Sequence, residues 1–142
     1  MNDYGLNFSC RRVKELPELL LALRRAKVSL PTKFLSSFLN WNGREALEQY
    51  IYEGQPRERV SVHFFHDLTD VAQVKELRDA ARLHNLKELF PVACDEGGSF
   101  ICVHSRDGSI WFVDHEVGGM KGHFKLEASI DSFMSKLKPF QL

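Results

Sequence analysis

Three kinds of side chain in this sequence are able to do chemistry: thiols, imidazoles and clustered carboxylates. The thiols are Cys10, Cys94 and Cys102, and the six histidines include His63, His66, His104 and His115. A zinc site needs three or four such ligands converging at about 2.0–2.3 Å, yet the chain has no CxxC and no HxxxH. His63 and His66 fall on opposite faces of a strand and its end. His104 and His115 can share a face with Cys102 nearby, but they make no ligand set. No metal and no cofactor are expected. Cys94, beside Asp95 and within reach of His104 or His115, is the candidate for a cysteine nucleophile. Its flanks supply no helix N-terminus to lower the thiol pKa, and Asp95 and Glu96 raise it. Gly97-Gly98 is followed by no Gly-Lys-Ser/Thr and belongs to no GxGxxG, so it is not a phosphate loop. These residues argue against an enzyme, and no catalytic residue is expected.

Binding is the remaining chemistry. Asp95 and Glu96 stand before Gly97-Gly98, and Asp114, His115 and Glu116 follow a strand. One reading makes the four carboxylates a patch that meets a basic protein surface, where charge complementarity raises the on-rate and sets specificity. The competing reading makes them turn and strand-end residues, with Asp95 an Asx-type turn former. Trp41 and Trp111 are candidate binding hot spots. Trp41 closes a helix and reads as core, whereas Trp111 lies on a mixed strand face. The basic run Arg24-Arg25-Ala26-Lys27 has no interleaved aromatic, and the whole chain carries no net charge. A helix C-terminus explains it better than nucleic acid.

Two strands must position these groups. Phe100–Ser105 and Ile110–Val113 are rich in aromatic and β-branched residues. Asp107-Gly108 between them suits a two-residue hairpin turn. With that turn, Arg106 pairs with Ser109. Ile101, Val103, Ile110 and Phe112 then share an apolar face, and Phe100, Cys102, His104, Trp111, Val113 and His115 share the other. Antiparallel pairing brings the acidic loop before the hairpin beside the acidic segment after it.

Around the hairpin the periodicity predicts helices and one more strand. Residues 1–15 read as a lead-in. Pro17 starts a helix that ends near Val28 and buries Leu19 to Leu23 and Ala26. Pro31 starts a second, with Phe34, Leu35, Phe38, Leu39 and Trp41 at helical spacing and Gly43 as the αL stop. A short helix is expected from Arg44 to about Glu53, burying Ala46, Leu47, Tyr50 and Ile51, and broken by Gly54-Gln55-Pro56. Arg59–Phe65 alternates as a strand, with Val60, Val62 and Phe64 on one face. Asp70 caps a long helix through Val71, Val74, Leu77 and Ala81. Val117–His123 forms a loop to an edge strand. Ser129 caps a last helix running to Leu137, which Pro139 ends. Helices flanking a central antiparallel sheet make the class α+β.

A chain of 142 residues with 44% apolar and 27% charged residues reads as one domain, 1–142, with its core over about 15–138. Charge is unevenly spread: seven Lys/Arg against two Glu over residues 11–33, and five Asp/Glu against Arg106 over residues 93–116. Such a bipolar distribution steers a charged partner toward one end. An odd number of cysteines without a secretory signal points to a cytoplasmic protein with reduced thiols. No apolar run reaches the ~18 residues of a membrane span.

The order of these pieces resembles the SUKH superfamily of Smi/Knr-like proteins. The resemblance rests on Leu30-Pro31, Phe38-Leu39 and Asn42-Gly43, then Pro91, Asp95, Gly97 and Gly98, then Gly108, Ile110, Trp111, Asp114 and His115, with a final helix from Ser129. It covers roughly residues 15–138. Two positions depart from the pattern: Ser99 follows the glycine pair where relatives often have Asn, and Arg44 stands where many carry a second Gly. The resemblance implies a non-catalytic binding module, an immunity protein that binds and neutralises a toxin, often a nuclease. The alternative it implies is an intracellular scaffold or regulator with no toxin partner. The expected partner is a protein, with no direct contact to nucleic acid or membrane. The expected docking residues are Asp95, Glu96, Gly97, Gly98, Trp111, Asp114, His115 and Glu116.

Overall fold

The computed structural model describes residues 3–10, 14–54, 60–116 and 119–140. Arg11, Arg12, Gln55, Pro56, Arg59 and Val117, all used in the sequence reading, lie outside these residues. The described chain forms helices α1 (Leu16–Arg25), α2 (Thr32–Phe38), α3 (Val71–Leu83) and α4 (Ile130–Ser135). Its strands are β1 (Glu45–Tyr52), β2 (Val60–Phe65), β3 (Leu89–Cys94), β4 (Phe100–His104), β5 (Ile110–Val113), β6 (His123–Glu127) and β7 (Leu137–Pro139). All pair antiparallel in one sheet of order β6-β5-β4-β3-β2-β1-β7. The class is therefore α+β, with helices flanking a central antiparallel sheet, as the periodicity indicates.

Local chemistry places the helix ends. Pro17 occupies the first turn of α1, with Glu18 there and Arg24 and Arg25 in the last turn, each matching the helix dipole. Leu19, Ala22, Leu23 and Ala26 are buried, but Leu20 and Leu21 are 40% and 46% exposed, so the apolar run is wider than the buried stripe. The Asp70 carboxylate accepts from the N–H groups of Ala72 and Gln73 at 3.0 and 3.4 Å and caps α3. Ser129 Oγ accepts from the Ser132 N–H at 3.2 Å and caps α4. Gly43 takes a φ of +71° after the turns that follow α2.

The main core lies between the helices and one face of the sheet. It gathers Leu19 and Leu23 of α1, Phe34, Leu35 and Phe38 of α2, and Val74 and Leu77 of α3. Phe133 and Met134 of α4 join them, as do the strand residues Val62, Val92, Ile101, Val103, Ile110 and Phe112. Burying each of the larger side chains contributes about 1.5–3 kcal/mol. The N-terminal segment is part of this core rather than a lead-in. Phe8 is 6% exposed, bridges Ala46 and packs against Trp41, Tyr50 and Phe65.

Four further expectations need correction. Residues 45–52 are a strand, not a helix. Its pairing with β2 on one side and β7 on the other overrides the helix-forming Glu, Ala, Leu and Gln side chains, and Leu47 is 57% exposed. On β2, Phe65 rather than Phe64 joins Val60 and Val62 in the core, so the alternation breaks after Val62, the stretch in which the β1–β2 pairing also shifts register. The last helix stops at Ser135, and Leu137–Pro139 continues as the edge strand β7, a position that tolerates proline. The β4–β5 loop has four residues, not two. Val103 pairs with Ile110 and the His104 N–H donates to the Ser109 carbonyl, so Arg106 does not face Ser109. The Gly108 N–H donates back to the His104 carbonyl at 3.0 Å, which Gly108 permits with a φ of +76°. The register moves by two residues, so the side chains keep their expected faces.

The sheet curls back on itself. The Tyr52 hydroxyl on β1 hydrogen-bonds to the Leu126 carbonyl of β6 at 2.9 Å and to the Glu127 carboxylate, although four strands separate β1 from β6 in the sheet order. The Tyr52 ring stacks on Phe133 at 5.1 Å. Burial, together with the neighbouring Glu127, holds its phenol above the usual range, so the hydroxyl remains a donor.

Candidate functional site

The loop from Asp95 to Ser99 joins β3 to β4, and its shape is dictated by Asp95. That residue is 7% exposed, and its carboxylate accepts from the Gly97 and Ser99 N–H groups, both at 2.9 Å. The Gly98 N–H donates to the Asp95 carbonyl at 3.1 Å while Gly98 takes a φ of +87°, a conformation that costs other L-residues about 1 kcal/mol or more. Asp95 is thus the turn former, and its charge is spent on backbone donors. Glu96, next to it, is exposed, and its N–H is held by Ser61 Oγ at 3.1 Å.

The segment after β5 is built the same way. The Asp114 carboxylate accepts from the Glu116 N–H at 2.9 Å, and the Asp114 N–H donates to the Gly122 carbonyl at 2.9 Å. His115 and Glu116 are exposed. Ser99 clamps the two loops together. Its Oγ accepts from the His115 N–H at 3.2 Å and lies 2.8 Å from His115 Nδ1. The structure brings Asp95, Glu96, Gly97, Gly98, Asp114, His115 and Glu116 to one end of the β4–β5 hairpin.

Trp111 is elsewhere. It pairs with Cys102 in the middle of the hairpin, on the outer face, and its indole N–H donates to Ser109 Oγ at 2.9 Å. That face carries a second, smaller cluster of Ala81, Leu86, Leu89, Cys102 and Val113, with Phe100 and Trp111 packed at its margin. Ala81 at the end of α3 and Leu86 after it thus cover part of the face, and a groove of about 830 Å³ lies beside Trp111. His84 and His123 line one end, and Lys87, Glu88 and His104 the other, with Leu89 also lining it. His104 Nε2 is 3.1 Å from the Glu88 carboxylate, which also binds the exposed Arg106. The strand parity marks His104 and Trp111 as neighbours on this face. His84, Lys87 and Glu88 are not legible beforehand, because only the three-dimensional path of the α3–β3 connection brings them there.

The thiols and remaining imidazoles sit away from this end or in protected surroundings. Burial first, then the adjacent Asp95, push the half-buried Cys94 thiol up, which disfavours the thiolate. Burial pushes the Cys102 thiol up further. His66 is half-buried with its ring edge against Phe64, and burial lowers its imidazole to about 4. Among the described residues, no group of three or more His, Cys, Asp or Glu is arranged to hold a metal ion. Among the same residues, no helix is long and apolar enough to cross a membrane.

No protein-family model matches the chain, and no curated protein matches it.

Proposed function

We propose that this protein is a SUKH-like, non-catalytic binding module. In this reading it is a cytoplasmic immunity protein that neutralises a toxin by covering the toxin's basic surface. The observation that carries this is the pair of hydrogen bonds between Ser99 and His115, which holds the acidic loops on either side of the β4–β5 hairpin as one exposed end. Glu96 and Glu116 lie at that end, exposed, while Asp95 and Asp114 shape its turns. A preformed negative patch of this kind speeds association with a basic partner and selects among partners. The raised thiol of Cys94 supports a role without nucleophilic chemistry.

Co-expression with toxins encoded at the same locus tests the proposal. Growth is restored by the wild-type chain and lost again with Glu96→Lys/Glu116→Lys. Failure to neutralise any of those toxins turns the assignment toward an intracellular scaffold or regulator.

A further inference from the structure

The acidic end is continuous with the groove beside Trp111. The rows of the sheet show this. Phe100 pairs with Val113, and Val113 with His123, so the His84–His123 end of the groove abuts the loops that carry Asp95 and Asp114. His84 packs edge-on to Phe100 at 5.1 Å, and Asp114 is bonded to Gly122, the residue before His123. Strand β4 spans about 13 Å from Phe100 to His104, the length of four extended residues, and contributes His104 to the groove.

We propose that this groove receives an aromatic or long aliphatic side chain from an extended segment of the partner protein, with a basic residue of that segment lying over Glu96 and Glu116. The inference rests on the docking role proposed above for the acidic end. Charge fixes the occupant's chemistry and direction. At the far end Glu88 is already engaged by Arg106 and His104, and Lys87 stands exposed, so a cation there gains nothing. At the near end the carboxylates of Glu96 and Glu116 face solvent. Between them the lining is mainly apolar. The Trp111 N–H is satisfied by Ser109, so the ring offers an apolar surface without leaving a polar group unpaired. A half-exposed Trp in an apolar groove rimmed by charge is the usual setting of a binding hot spot.

The test uses three synthetic peptides and amide NMR of the full chain: acetyl-Gly-Lys-Arg-Leu-Phe-Gly-amide, a version with Glu-Glu for Lys-Arg, and a version with Gly-Gly for Leu-Phe. The first is expected to shift the Trp111 indole N–H, His84 and His123 together with Glu96 and Glu116. Both other peptides are expected to bind about tenfold more weakly. Trp111→Ala is expected to remove the groove shifts at His84 and His123, and Glu96→Lys/Glu116→Lys, at two exposed positions, to weaken the first peptide about tenfold. Shifts at Glu96 and Glu116 without shifts at Trp111 overturn the groove inference and spare the docking role of the acidic end. Groove shifts that are equal for the basic and acidic peptides overturn both. No shift with any peptide overturns the groove inference.

Discussion

Ser99 Oγ bonds both the backbone N–H and the ring of His115, at 3.2 and 2.8 Å, and so ties the entry of the β4–β5 hairpin to its exit. Ser99 is 4% exposed, so water does not replace those bonds when they are lost. Ser99→Ala is expected to cost about 1–2 kcal/mol and to speed amide exchange at His115 and Glu116 ahead of the rest of the sheet. Urea unfolding and hydrogen exchange check both. Uniform acceleration across the sheet would mean that the pair is no local clamp.

Arg44 offers a sharper stability test. It is 4% exposed, its guanidinium donates to the Ser9 carbonyl at 2.9 Å and the Asn40 carbonyl at 3.0 Å, and it pairs with Asp3 at 3.3 Å. The guanidinium also stands 5.1 Å from the Trp41 ring centroid. Arg44→Ala is expected to cost about 2–4 kcal/mol by leaving buried carbonyls unpaired and removing the contact with Trp41. Arg44→Lys does not rescue it, since one ammonium cannot reproduce the planar fork. Asp3→Asn, at an exposed partner, is expected to cost less than about 1 kcal/mol. Equilibrium unfolding of the three variants gives the ranking.

Stability is expected to fall with acidification in two windows. In the unfolded chain His66 titrates near 6.5, whereas burial in the fold lowers it to about 4. Between those values the unfolded state takes up the proton and the folded state does not. This contribution is therefore fully present above about pH 6.5 and is lost as the pH falls toward 4. Allowing for the partial exposure of the ring, the loss is about 2 kcal/mol. His66→Gln is expected to flatten that window in urea titrations at pH 7 and 4.5. A second loss follows below about pH 4. The carboxyls of Asp3, bonded by Asn40, and Asp107, bonded by Ser109, are held below the usual range and must then protonate.

The Tyr52 hydroxyl closes the curl of the sheet. Tyr52→Phe keeps the stacking on Phe133 but leaves the Leu126 carbonyl and the Glu127 carboxylate one donor short. The expected cost is about 1–2 kcal/mol, with faster exchange in β6 than in β4. Equal protection of the two strands would show that the curl does not depend on this bond.

Much of this is legible in the residues, and the failures have physical causes. Alternation placed Ile101, Val103, Ile110 and Phe112 on the core face, and that survives a two-residue register error because side chains repeat every two residues. The caps Asp70 and Ser129 are readable because they act over three residues. Strand β1 is not readable. Tyr50 and Tyr52 are buried by partners on β2, β7 and α4, which are remote in sequence, while the local residues favour a helix. The two positions that depart from the family resemblance, Arg44 and Ser99, both carry long-range bonds that spacing alone cannot announce. Asp95 fits its turn-forming reading, and Asp114 shapes the matching turn after β5; Glu96 and Glu116 are exposed beside them.

The most direct test of the proposed role is the affinity of the wild type and of Glu96→Lys/Glu116→Lys for a toxin encoded at the same locus, measured by stopped-flow association and calorimetry. The double reversal is expected to slow association about tenfold or more at low salt, and to leave the melting temperature unchanged. An unchanged association rate and affinity would contradict the account, because the acidic end would then lie outside the interface.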